Sequence, residues 1–405
     1  MFDVEQIRKE FPILAREVYG KPLIYLDSAA TAQKPRCVVE RMSELLLNDN
    51  ANIHRGVHLL SEEMTAEYES AREVVRQFIG AECREEIIFT SGATMSLNLV
   101  ATSWCEKFLR EGDNVVVSHI EHHSNIVPWQ LSTERKRAEL RVIPVADDGA
   151  LVLDALDTLI DAHTKVVAVT QASNTLGTRP DLAPIIAKAH SVGAVVVVDG
   201  CQGVVHGGVD VRSLDCDFYA FSGHKLYGPT GIGVLYGKRE LLDMMPPYMG
   251  GGDMVDRVSF ERTTYAPLPL KFEAGTSNYI GAIGLAEAIK FLQRFSAQEI
   301  AKHEKEMLDY ATEQLMQIEG LRIYGTTEDK SSIISFNVAG CDHYDIGMIL
   351  DKMGVAVRTG HHCAEPVMAR YGTNGVVRAS IALYTNKDDI DVLVKAVKRA
   401  VSMLK

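Results

Sequence analysis

AVVVVDGCQG, residues 194–203, is the stretch on which the fold turns. Its four consecutive valines are apolar without alternation, the pattern of a strand covered on both faces and not of one with a wet side. The run stops at an aspartate followed by small residues, so a charged group ends a buried strand. Similar short β-branched runs lie on either side: EEIIFT (85–90), NVVVS (114–118), LRVIP (140–144), TKVVAVT (164–170), DFYAFS (217–222) and GVLY (233–236). Helical stretches such as Thr94–Phe108 and Ala183–Val192 separate most of them. Alternating strands and helices read as a doubly wound α/β unit with a mostly parallel, seven-stranded sheet. The last two runs sit close together across a glycine-rich segment and are the place where the parallel pattern is expected to break.

Past Gly284 the texture changes. One long helical pattern, Gly284–Gln317, leads into shorter strands at RIYG (322–325), IISFNV (333–338) and VAVRT (355–359), and a helix at Lys387–Leu404 closes the chain. The expected organisation is a helical segment over 1–20, a large domain over 21–285 and a smaller α+β domain over 286–405. The 405 residues contain 46% hydrophobic and 24% charged side chains, the proportions of an ordinary globular protein. The net charge of -12 argues against a general affinity for nucleic acid, which needs a basic surface. No apolar run reaches the length of a membrane span, and the start MFDVEQIRKEFPIL lacks the order of a signal peptide. Seven cysteines without a C-x-x-C pair fit a reducing compartment. A cytoplasmic protein is expected.

In such sheets ligands bind beyond the carboxyl ends of the strands. EEIIFT is followed by SGATMS, where backbone N–H groups at Ala93 and the Thr94 hydroxyl either cap a helix or cradle a phosphate at its positive end. NVVVS leads to HIEHHSN with His122 and His123, and TKVVAVT leads to QASNTLG with Asn174. Asp199 either caps the next helix or meets a cation, because a lone buried carboxylate is costly; Gln202 follows three residues on. DFYAFS leads to GHKLYGPTGIG, placing Ser222, His224 and Lys225 in a glycine-flanked turn. Taken together these groups ask for one ligand with an anion, a cationic ring atom and an electrophilic carbon. Pyridoxal 5′-phosphate has all three.

VVVVDGCQG with DFYAFSGHKLYGPTGIGVLYG resembles the class V, aminotransferase-like enzymes that use this cofactor. Together with YLDSAATAQKP (25–35), HRGVH (54–58), EHHSNIVPW (121–129), KFEAGTSN (271–278) and RTGHHCAEPVM (358–368), the chain is similar to SufS-type (group II) cysteine desulfurases. The resemblance implies the PLP-transferase-like fold (fold type I). It implies that Lys225 carries the cofactor, that Asp199 and Gln202 hold the ring and its oxygen, and that His122 stacks above. Ala93, Thr94, Ser222 and His224 would hold the phosphate, with Thr276 supplied by a second subunit of a homodimer. Asn174, Arg358 and Arg378 would bind the substrate carboxylate. Three positions depart from the family wording: Met95, Cys201 and Ser277.

Within RTGHHCA, adjacent residues of one loop are poorly placed to converge on a tetrahedral ion, and no distant ligand set is evident, so no metal is expected. A free cysteine is ordinarily an inert core filler. Against that, Gly360 gives the loop freedom, Pro366 marks a helix start just beyond Cys363, and helix dipole, Arg358 and imidazoles all favour thiolate. The resemblance makes Cys363 the sulfur acceptor, with Lys225 and His122 moving protons. The implied reaction takes L-cysteine to L-alanine and leaves a persulfide on Cys363. A SufE-like or SufU-like protein would accept that sulfur for iron–sulfur cluster assembly. Rival readings are a selenocysteine lyase, a transaminase with no use for RTGHHCA, and a non-catalytic sulfur-scaffold binding partner.

Overall fold

In the computed structural model, which describes residues 2–405, the valine run is the strand Val195–Asp199, buried at every position. Val196 and Val198 point into one hydrophobic core and Val195 and Val197 into another, so each sheet face is covered. Burying each valine contributes about 2 kcal/mol. The seven-stranded sheet runs in the order Ile87–Thr90, Gly233–Gly237, Phe218–Ser222, Val195–Asp199, Thr164–Thr170, Asn114–Ser118, Glu139–Ile143. Val195–Asp199 therefore lies at the centre, parallel to both neighbours. Of the last two runs, only Gly233–Gly237 is antiparallel to its neighbours; Phe218–Ser222 keeps the parallel direction.

The second sheet has four strands in the order Leu321–Tyr324, Ile333–Val338, Val376–Ser380, Arg358–Gly360, all antiparallel. Helices Ala297–Met316, His343–Lys352 and Lys387–Leu404 pack on it around a separate core. Ile24 and Leu26 from the N-terminal part belong to that core, because Ile24–Tyr25 pairs in parallel with Val355–Ala356.

Three expectations are corrected. The helical pattern Gly284–Gln317 is two helices, Tyr279–Leu292 and Ala297–Met316. A capping box between Ser296 and Glu299 starts the second one afresh. The first twenty residues are helical only over Val4–Lys9, followed by a 3-10 turn at Pro12–Ala15, since proline cannot continue the first helix. VAVRT is divided: Val355–Ala356 pairs with the N-terminal strand, and Arg358–Gly360 with Val376–Ser380.

Candidate active site

Strand ends assemble the floor of the site. Asp199 is 5% exposed, and its Oδ1 accepts the Cys201 N–H at 3.0 Å. One strand over, Phe218–Ser222 ends in a 3-10 turn, Gly223–Lys225, that brings half-buried Lys225 to the same cleft. Ser222 Oγ accepts the Ala93 N–H at 2.9 Å, which ties this turn to the first turn of the helix Ala93–Phe108. A Cβ on Gly233 would collide with Gly92, so the approach of that turn requires glycine. Thr94 is exposed at the cleft and its hydroxyl meets Ser124 Oγ at 2.8 Å.

The imidazoles of this floor are neutral. Burial, reinforced by the Lys225 charge, holds His122 down at about 4, and the same two causes with Lys34 hold His224 at about 4. Ser124 donates its backbone N–H to His122 Nδ1 at 3.1 Å. That bond fixes the tautomer: Nδ1 is the acceptor, and the ring proton sits on Nε2.

The opposite wall comes from the small sheet. Arg378 is 2% exposed; it donates to the Asn174 carbonyl at 2.8 Å and to Asp27 Oδ1 at 3.3 Å, while its Nε is buried without a partner. Arg358, exposed, stands opposite Arg378 in the strand register and reaches Asp27 Oδ2 at 3.7 Å. Burial lowers Arg378 to about 10 and raises the Asp27 carboxyl despite both guanidiniums.

Cys363 sits between these walls, half-buried, just before the helix Glu365–Arg370 with Pro366 in its first turn. His362 and Cys363 both have left-handed φ, 53° and 57°, in a loop opened by Gly360 at 109°. Non-glycine residues hold such angles only where the surroundings impose them. Here the surroundings are residues of the segments that follow two strands of the large sheet. His123 donates its N–H to the Cys363 carbonyl at 2.8 Å, and Asn174 Nδ2 donates to the His362 carbonyl at 2.8 Å. Cys363 donates its own N–H to His361 Nδ1 at 3.1 Å, and the His361 ring stacks on His123. Burial, with the Arg378 charge, holds His362 at about 2.

One cleft is thus lined by Ala93, Thr94, His122, Asn174 and Asp199 from one side of the chain, and by Ser222, His224, Lys225, Arg358, Cys363 and Arg378 from the other. Two expected residues stand outside it. Gln202 is buried beside the floor and donates to the Ala29 carbonyl at 2.9 Å, and Thr276 is exposed elsewhere on the chain. Ala29, Ala30, Ser124, Cys201 and His362 also line the cleft. Of these the sequence singles out only Cys201, as a departure from the family wording, and His362, within RTGHHCA; for Asp27 the available signal is a carboxylate inside YLDSAAT with two arginines seeking a counter-ion.

The group that fits must offer an anion to the Ala93–Thr94 turn and Ser222, a cation to Asp199, and a carbon to the Lys225 amine. The class-V aminotransferase family model matches residues 24–393. A cysteine desulfurase of Enterobacter sp. (strain 638) is 50% identical over 399 residues, covering 98% of each chain. The crystal structure of the cysteine desulfurase CsdA (S-sulfonic acid) from Escherichia coli superposes with a TM-score of 0.93 at 42% identity over 100% of both chains. The apo cysteine desulfurase of Thermococcus onnurineus NA1 gives 0.93 at 39% identity over 98% of each. The chain belongs to the class-V aminotransferase family, and within it to the cysteine desulfurases.

Proposed function

We propose that this chain takes L-cysteine to L-alanine and keeps the sulfur as a persulfide on Cys363. The observation that carries the reading is that Cys363 and Lys225, 138 positions apart by their numbers, line one cleft with Asp199 and Arg378. The donor set suits pyridoxal 5′-phosphate: Lys225 would carry it, Asp199 would face its ring nitrogen, and Ala93, Thr94, Ser222 and His224 would face its phosphate. Gln202 would act on the ring oxygen and His122 would cover the ring. Bound there, the cofactor supplies an electron sink that makes an amino acid's Cα proton removable.

The remaining steps belong to the chain. Arg378, whose Nε is buried and unpartnered, receives the substrate carboxylate with Asn174 and Arg358 beside it. Lys225 Nζ takes the Cα proton. The Cys363 thiolate attacks the substrate sulfur: an S–S bond forms, the Cβ–S bond breaks, and its electron pair stays with the carbon fragment. That fragment gains a proton at Cβ, for which neutral His122, with its proton on Nε2, is the donor at hand. The sum is L-cysteine plus thiol giving L-alanine plus persulfide.

The assembly is proposed to be a homodimer in which Thr276 completes the partner's phosphate site. Exposed Leu47, Val57, Leu59 and Phe260 supply apolar surface for such an interface. Half-buried Cys363 beside exposed His361 and Glu365 is accessible to a SufE-like or SufU-like acceptor, which would serve iron–sulfur assembly in the cytoplasm. Seven free cysteines accord with that compartment, and among the described residues no helix is long and apolar enough to cross a membrane. A division into 1–20, 21–285 and 286–405 is supported in part by a separate core under the small sheet, which takes in Ile24 and Leu26; the large core in turn takes in Ile7 and Phe11 and, from 286–405, residues such as Phe291, Tyr324, Met368 and Tyr384.

Alanine and sulfide are to be measured from L-cysteine with and without reductant, followed by alkylation after one turnover. The reading expects equal alanine and sulfide with reductant, and an extra sulfur on Cys363 alone. Extra sulfur on another cysteine, or none, overturns it.

A further inference from the structure

Next to His122 lies a carboxyl group that the reaction above does not use. Glu121 is 0% exposed, yet no cation among the described residues pairs with it. A buried acid without a cation is costly and is retained only where hydrogen bonds compensate. Three groups compensate here, each from a different element. Ser118 Oγ, ending the strand Asn114–Ser118, meets Oε1; the Thr170 N–H, ending the adjacent strand, donates to Oε1 at 2.8 Å; Asn125 Nδ2 donates to Oε2 at 2.7 Å. Asn125 Oδ1 in turn accepts the Trp129 Nε1–H at 2.9 Å, anchoring the helix Val127–Lys136.

These contacts enclose His122. Its turn leaves the sheet at Ser118 and ends at Asn125, just before the helix Val127–Lys136, and Glu121 grips both points. The third contact reaches Thr170, which pairs in register with Asp199. We propose that Glu121 is a positioning residue for His122: its carboxyl gathers the turn that carries the imidazole and ties it to the strand end beside Asp199. Burial, with Asp199 pushing the same way, raises the Glu121 carboxyl to about 8 against the pull of its donors. The carboxyl accepts from Ser118 Oγ and the Thr170 N–H on one oxygen and from Asn125 Nδ2 on the other. Glutamine cannot match this: its amide NH2 faces either the Thr170 N–H or the Asn125 NH2, so one bond is lost in either orientation.

The inference rests on His122 lying against the cofactor, and the test separates the two ideas. Apoprotein of the wild type, Glu121→Gln, His122→Ala and the double variant is titrated with pyridoxal 5′-phosphate. Affinity, the circular dichroism of the bound cofactor band and the unfolding temperature of the apoprotein are recorded. Glu121→Gln should weaken binding about tenfold, the size of coupling seen between contacting residues, and should alter the dichroic band. In the His122→Ala background it should add nothing. Full additivity, or a wild-type affinity and band in Glu121→Gln, overturns the proposal. An unchanged band in His122→Ala overturns the placement of His122 itself, and the proposal with it. Ser118→Ala removes one partner and keeps the carboxyl; it should shift the band in the same direction by less, and it carries the test if Glu121→Gln does not fold.

Discussion

Asp199 and Cys363 face the same cleft from opposite kinds of backbone. Asp199 ends a strand hydrogen-bonded on both sides, in the middle of a seven-stranded sheet, where every residue is buried. Cys363 ends a loop with two successive left-handed non-glycine residues, hung between the edge strand Arg358–Gly360 and a helix of six residues. The strained angles cost about 1–3 kcal/mol each and are offset by hydrogen bonds from His123 and Asn174 across the cleft. On the function proposed above, the difference matches two tasks. A charge that must face one atom throughout a reaction belongs on a sheet; a thiol that must meet a substrate and then a protein acceptor belongs on a segment held by a few releasable bonds.

The sharpest way to break this comparison is to remove one group from each side. Lys225→Ala should abolish both the absorbance of lysine-bound cofactor and alanine formation; a variant that still makes alanine at the normal rate ends the assignment of the sheet side. Cys363→Ala should keep that absorbance and lose alanine production from L-cysteine almost completely, because acid–base help of about 10²–10⁴-fold cannot replace a missing nucleophile. Measurable turnover of L-selenocysteine by the same variant would sharpen the point, since the weaker C–Se bond asks less of the thiol.

Smaller effects test each side internally. Asp199→Ala should slow exchange of the substrate Cα proton with solvent about a hundredfold, the scale of one fixed electrostatic group; unchanged exchange would reduce the aspartate to a helix cap. Asn174→Ala deletes one pin on the loop, and a loss of about 1 kcal/mol should raise the alkylation rate of Cys363 in substrate-free protein about fivefold. An unaltered rate would mean the loop is held by its own sequence. The last effect is on pH. His122 and His224 lie at about 4 and His362 at about 2, all below the usual histidine value of 6.5, so the unfolded chain binds these protons first on acidification. Stability should therefore be level with respect to these groups above pH 7 and fall from about 6.5 to about 4, read as unfolding temperature against pH. A rise over that interval contradicts the burial of these rings.

The sheet side was the more legible in sequence, for a physical reason. Unbroken valines followed by a charged residue leave few alternatives, and the groups after each strand must converge because the strands run parallel. The loop side could be recognised from RTGHHCA, but not its conformation: positive φ at His362 and Cys363 is imposed by His123 and Asn174, which are distant in sequence. Asp27 escaped notice because its meaning depends on two arginines more than 300 positions away. The break at Ser296 was written locally, as Ser-Ala-Gln-Glu, and an amphipathic pattern on both sides concealed it.

Arg358 and Arg378 face each other in adjacent strands, and among the described residues Asp27 is the one carboxylate that pairs with either, so two guanidiniums share one negative charge on the wall of the cleft. Those guanidiniums do not distinguish the carboxylate of cysteine from the carboxylate of alanine, nor either from an inorganic anion. On the function proposed above, capture of substrate and release of product are thereby opposed on one electrostatic feature. Added salt, by screening it, should slow capture and hasten release together, making ionic strength a setting of the enzyme's working rate.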